Sequence, residues 1–286
     1  MTEYVIDYHA INHYEQPFYE AFLEFLIFPQ PSSDQQVIHL THESEPWCST
    51  YFSSNVNGFR VLRCRLPAQS ETFELRMKAR VAKSPINPFE YQPLETAGER
   101  AMLRSHEFQV EHFAFLQQTH FTLLPEGRTF PSWKPDEPFF DFCQRVNAFV
   151  FNCLDYDARH ASVHNTVLDV LNDHKGVCQD FAHLMLGILR LNMIPCRYVT
   201  GYLHPGPGHK GSAAIHAWTE VYVPGNGWTG FDPTNNLMED VHYIKIAHGV
   251  DLDECQTLRG VVRSAGRNST EYEVHVRESE MQNLPQ

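Results

Sequence analysis

Two-residue alternation dominates the chain from Tyr4 to about Ala82. Tyr4, Ile6, Tyr8 and Ala10 fall on one side of an extended strand. Phe73, Leu75, Met77, Ala79 and Val81 alternate with charged residues, the pattern of a half-exposed antiparallel strand. Phe22–Phe28 reads as a short, well-buried run, and Asn57-Gly58 predicts a hairpin turn between Cys48–Val56 and Phe59–Leu66. These signals predict an antiparallel β-sandwich-like domain over residues 1–84. Pro85, Pro88 and Pro93, with no periodicity between them, mark 85–98 as a linker.

Beyond the linker, over 99–286, helical spacing appears. Gly98–Leu103 predicts a short helix and Glu107–Gln118 a longer one with Phe108, His112 and Phe115 on a face. A stronger helix follows, with Asp136 as its cap and Pro138 in its first turn. Phe139, Phe142, Cys143, Val146, Phe149, Val150 and Cys153 form its buried stripe. Thr166–Leu171 reads as one more turn or two. After Gly176 a further helix opens at Cys178, with Phe181, Leu184, Met185, Ile188 and Leu191 at three- and four-residue spacing. Ile215–Val223 and Trp228–Phe231 flank turn residues and predict a hairpin, and 271–277 reads as a final strand that joins a sheet.

Composition narrows the function classes. A net charge of −13 with no Lys/Arg run argues against nucleic acid and anionic membrane as partners. Neither a secretory leader nor an apolar run of membrane-spanning length is visible. The 7 cysteines are odd in number and form no CxxC pair, which fits reduced thiols in a microbial cytoplasm. His160 and His164 stand four apart without a third ligand at a recognised spacing, so no metal and no cofactor are expected. His9 and His13, on a strand, read as packing or surface residues.

The candidate chemistry centres on Cys178. In the first turn of a helix, unpaired N–H groups and the helix dipole favour a thiolate. The polar Gln179 and Asp180 beside it predict a partly open first turn, and Gly176 a tight approach to the helix. His216 and Asp232 supply a base and an orienting carboxylate. Pairing Val223 with Gly227 across the three-residue turn Pro224–Asn226 puts His216 and Asp232 on one face of the hairpin. A two-residue turn would separate them. The Cys178 backbone N–H is the first oxyanion donor and Gln179 a candidate second. Trp218 and Trp228 are expected either to flank the groove or to pack simply as hairpin aromatics, and Arg197 to be a buried structural arginine.

Gly176-Val177-Cys178-Gln179-Asp180-Phe181-Ala182-His183 resembles the cysteine motif of bacterial transglutaminase-like proteins, within the papain-like cysteine enzymes. Ile194-Pro195-Cys196-Arg197-Tyr198-Val199-Thr200-Gly201-Tyr202, His216-Ala217-Trp218-Thr219-Glu220-Val221 and Asp232-Pro233-Thr234-Asn235 carry the same resemblance, in the family's order. It runs from about Phe139 to Gly260. Asn192-Met193 replaces the family's usual Leu-Gly, and Cys196 a small alanine. The resemblance implies an α+β fold: a papain/transglutaminase-like core, with the cysteine helix packed on an antiparallel sheet, preceded by the β-rich region. It further implies a Cys178–His216–Asp232 triad acting through a thioester. The expected activity is a cysteine peptidase or amidase on a peptide or protein amide. The alternatives are protein-glutamine amine transfer by the same triad and a non-catalytic binding scaffold.

Overall fold

The first strand buries every second residue from Tyr4 to Tyr14, as its alternation requires, with Tyr4, Ile6 and Ala10 fully enclosed. The computed structural model describes residues 1–66, 70–87, 89–90, 93–206, 209–211 and 214–279. The linker positions Pro88, Tyr91 and Gln92 lie outside the described residues. Six strands come first: β1 (Thr2–Tyr14), β2 (Glu20–Phe25), β3 (Gln35–Glu45), β4 (Ser49–Ser54), β5 (Arg60–Leu66) and β6 (Thr72–Lys83). Helices α1 (Thr96–Arg104), α2 (His106–Glu111), α3 (Phe113–Leu116) and α4 (Phe139–Cys153) follow. Next are β7 (Asp155–Tyr156), α5 (Val167–Asp173), β8 (Lys175–Gly176) and α6 (Cys178–Leu191). Strands β9 (Cys196–Leu203), β10 (Ile215–Val223), β11 (Gly227–Asp232), β12 (Leu237–Met238) and β13 (Tyr243–Gly249) precede α7 (Leu252–Cys255), β14 (Leu258–Arg263) and β15 (Asn268–Glu278).

Three antiparallel sheets result, ordered β15-β1-β6-β3, β14-β2-β5-β4 and β12-β11-β10-β9-β13; β7 and β8 form a short parallel pair. The two four-stranded sheets share one apolar core. Ile6, Phe73, Leu75 and Val274 come from one sheet and Leu23, Phe25 and Leu62 from the other. The same core continues into Tyr202, Ile244 and Ile246 of the five-stranded sheet. A second core lies between that sheet and helices α4, α5 and α6, with Phe142, Val146, Leu184, Met185, Val221 and Phe231 at its centre. The fold is α+β, with an N-terminal β-rich region.

Several elements differ from the sequence expectation, each for a physical reason. The division at residues 84 and 99 assigns 258–278 to the second half. The hydrogen bonding puts β14 beside β2 and β15 beside β1, so the last strands complete the sandwich that the first strands begin. The Asn57-Gly58 turn is the tip of a longer loop. Ser54 pairs with Arg60, and the Asn55 side chain accepts the N–H groups of Asn57 and Phe59 at 3.0 and 2.9 Å. Within Phe22–Phe28, the strand ends at Phe25 and Phe22 is 45% exposed.

The helix expected over 107–118 breaks at His112. Its ring stacks on Phe108 (centroids 4.2 Å apart) while Nδ1 lies 3.0 Å from the Phe108 carbonyl oxygen. Asp136 does not cap α4. Pro138 is the N-cap residue, and the buried Glu99 of α1 accepts the Phe139 N–H at 3.1 Å. No described helix is long and apolar enough to cross a membrane.

Candidate active site

Helix α6 begins at Cys178, with Val177 as an extended N-cap residue. From Asp180 to Arg190 it is buried on all sides, and Leu191, expected in its stripe, is 58% exposed. Asp180 is enclosed too, against the expectation of an open first turn. Its Oδ2 accepts the Val177 N–H at 2.8 Å and thereby closes the helix start. Burial raises this carboxyl to about 7, against the lowering effect of the Val177 N–H. Gly176 has to be glycine for this reason: a Cβ there would lie 2.8 Å from Cβ and 2.9 Å from Oδ2 of Asp180.

Strands β10 and β11 pair Val223 with Gly227 and Thr219 with Phe231, the register that puts His216 and Asp232 on one face. His216 Nε2 and Asp232 Oδ2 are 2.8 Å apart, and neither side chain is exposed. Asp232 is held from every side. Oδ2 also accepts the Tyr243 hydroxyl (2.8 Å) and Asn235 Nδ2 (2.8 Å), and Oδ1 accepts the Thr234 and Asn235 N–H groups at 2.9 and 3.3 Å. Burial acts against its charge, but the His216 imidazolium and these donors hold its carboxyl below the usual range. Burial likewise acts against a charged His216. The Asp232 carboxylate, and then Cys178, outweigh it and raise the imidazole to about 10.

The other imidazole nitrogen, Nδ1, has no hydrogen-bond partner among the described residues. Gly211 packs over it at φ +85°, where an added Cβ would stand 2.6 Å away, so no side chain fits between that loop and the ring. Cys178, half-buried, has its sulfur 4.0 Å from the Ile215 carbonyl oxygen, next to His216 in sequence. Cys178 and His216 both line a cleft of about 320 Å³.

The remaining sequence candidates separate. Gln179 lines the cleft, and its Nε2 donates to the Ser162 carbonyl at 2.6 Å. Trp218 does not flank the groove. It is fully buried beside His216 (centroids 6.3 Å, planes at 23°), and its Nε1 donates to Glu239 Oε2 at 3.1 Å. Trp228 lies away from the cleft with Arg197 above its ring at 4.1 Å, and Arg197 is paired with the buried Glu220. Among the described residues no cluster of His, Cys, Asp and Glu is placed to hold a metal ion. His160 lies 3.4 Å from Asp157 and His164 is exposed. Tyr243 and Gly211 were not recognised from sequence. Asn235 belongs to the Asp232-Pro233-Thr234-Asn235 motif, and its place two residues past Pro233 is the available signal.

Residues 132–233 match the model of the transglutaminase-like superfamily. This stretch is similar to a transglutaminase-like core. That match takes in α4, α6, the β9–β11 strands and all three of Cys178, His216 and Asp232. An uncharacterised protein of Mycobacterium leprae is 40% identical over 127 residues, 43% of this chain and 44% of that protein. One of Mycobacterium tuberculosis is 34% identical over 148 residues, 49% of this chain and 47% of that protein. The chain thus spans less than half the length of these relatives. The structure of a candidate cysteine protease from Cytophaga hutchinsonii superposes with a TM-score of 0.69 at 20% identity, over 99% of this chain and 93% of that one. The shared fold therefore includes the β-rich region as well as the transglutaminase-like core.

Proposed function

We propose that the protein is a thiol-dependent amide-bond hydrolase that uses Cys178, His216 and Asp232. The observation that carries this reading is His216, paired with the buried Asp232 at 2.8 Å and lining the same cleft as the cysteine in the first turn of α6. The Cys178 thiolate adds to the amide carbonyl. The Cys178 N–H, in the first turn and without an intrahelical acceptor, donates to the oxyanion. His216 gives its proton to the departing amine, leaving a thioester on sulfur. It then takes a proton from water, whose oxygen adds to the thioester and releases the acid and the thiolate. Asp232 holds the imidazole in place and stabilises its cationic form. The substrate is a peptide or protein amide, and the 7 free thiols suit a cytoplasmic setting.

Iodoacetamide labelling across pH, read by mass spectrometry on wild type and His216→Ala, tests the assignment. Cys178 is expected to label fastest of the 7 cysteines near neutral pH and to lose that advantage in the variant. Labelling no faster than half-buried Cys153 would overturn the catalytic reading in favour of a binding scaffold. Once a peptide substrate is in hand, an added primary amine separates the two acyl acceptors. Hydrolysis yields the acid with or without the amine, whereas amine transfer incorporates it.

A further inference from the structure

The cleft beside Cys178 is not built by the transglutaminase-like core alone. Tyr198 of β9 and Leu252 of α7 form part of it, and Tyr8 of β1, Leu258 of β14 and Tyr272 of β15 complete it. Tyr8 lies opposite Val274 and Ala10 opposite Tyr272, so the two tyrosines are diagonal neighbours on one face of the sheet. Their rings lie 6.3 Å apart with planes at 20°. Tyr8 is 3% exposed and fixed, and Tyr272 is 46% exposed at the rim. Although 20% of the chain is charged, none of the described residues lining this cleft is Asp, Glu, Lys or Arg. An anionic group entering it would lose water and find no cation except His216, which Asp232 already engages. A flat apolar group would gain ring faces and aliphatic contact.

We propose that this cleft is a substrate subsite for an uncharged aromatic side chain flanking the attacked carbonyl, with Tyr272 as the residue that sets the preference. A volume of about 320 Å³ suits one such ring together with the reacting group. The proposal rests on Cys178 being the nucleophile, and it gives the strands at the two ends of the chain a part in specificity.

The test compares Cys178 alkylation by N-benzyl iodoacetamide, iodoacetamide and iodoacetate, each rate divided by that with free cysteine. In every case a C–S bond forms and iodide leaves, so only the appended group differs. The benzyl reagent is expected to gain about tenfold over iodoacetamide, the order expected from partly burying one ring, and iodoacetate to gain nothing. Tyr272→Ala is expected to bring the benzyl advantage close to unity, and Tyr272→Lys to shift preference toward iodoacetate. A wild-type benzyl ratio near unity would overturn the subsite without any variant. So would a ratio that survives Tyr272→Ala. Both outcomes leave a reactive Cys178 standing. If all three reagents find Cys178 no faster than Cys153, the nucleophile assignment is lost and the subsite falls with it.

Discussion

Asp232 receives donors from His216, Tyr243, Thr234 and Asn235 with no exposed surface. A carboxylate so surrounded stays charged, and its charge keeps His216 cationic far above the ordinary imidazole value. The signs follow from each group. The lowered Asp232 contributes stability above its unfolded value of 3.8, lost as pH falls through its folded value. The raised His216 contributes fully below 6.5 and loses its contribution as pH rises through about 10. The pair therefore stabilises most between the ordinary carboxylate range and pH 6.5. Asp232→Asn removes the charge and keeps the shape. We expect Cys178 alkylation at pH 7 to slow about tenfold or more, because a neutral amide no longer holds His216 cationic beside the sulfur. Alkylation rates against pH for the two proteins check this, and an unchanged profile would contradict the assigned role of Asp232.

At the scale of the element, α6 ends in a way its sequence does not favour. Met193 stands at φ +58°, with its N–H on the Arg190 carbonyl at 2.9 Å and the Ile194 N–H on Leu189 at 3.1 Å. This is a Schellman ending, whose left-handed position usually holds glycine. Asn192 compensates: its Nδ2 donates to Ile188 and Pro131 at 2.8 and 3.0 Å, and its Oδ1 accepts the Trp133 N–H at 2.9 Å. Relief of a left-handed side chain is worth about 1–2 kcal/mol and the extra freedom of unfolded glycine costs about 0.5–1 kcal/mol. Met193→Gly should therefore raise stability by about 0.5–1 kcal/mol, read from the urea midpoint at constant slope. A lowered midpoint would show that the half-exposed Met193 side chain contributes more by packing than it loses by strain.

At the scale of the whole molecule, the sandwich and the five-stranded sheet are joined by a few buried polar bridges. Gln35 of β3, 2% exposed, accepts the Lys245 N–H of β13 at 2.9 Å. Its Nε2 donates to the carbonyls of Lys245 and Gln30 at 2.8 and 2.7 Å. The Tyr202 hydroxyl donates to the Ile27 carbonyl at 2.6 Å. Gln35→Ala leaves the Lys245 N–H unpaired in a dry setting and should cost about 1–3 kcal/mol of unfolding free energy. Chemical denaturation measures it. A change below about 0.5 kcal/mol, the ordinary surface range, would mean that water replaces the lost amide. The same junction carries function, because β1, β14 and β15 supply Tyr8, Leu258 and Tyr272 to the cleft of the transglutaminase-like core.

Local rules were enough to recognise some of this. Alternation identified the buried faces of β1 and β6, helical spacing found α4 and α6, and residue chemistry singled out Cys178, His216 and Asp232. The hairpin register was legible because strand geometry has a period of two, which forces His216 and Asp232 onto one face for an odd-numbered turn. That rule could not say which neighbours cover the face. Trp218 shares it with His216, and only the fold shows that Glu239 and Tyr243 enclose the indole where a groove was expected. Asp180 looked open by composition and became a buried cap because its helix is surrounded on every side. By itself the sequence determined the periodic elements and the reactive residue types, since both follow from short-range backbone geometry and side-chain chemistry. Tertiary structure alone decided the walls of the cleft, the place of the Tyr243 hydroxyl on Asp232 and the closing of the sandwich by the last strands. Each of these joins different strands or sheets, through contacts that exist only once the three sheets have formed.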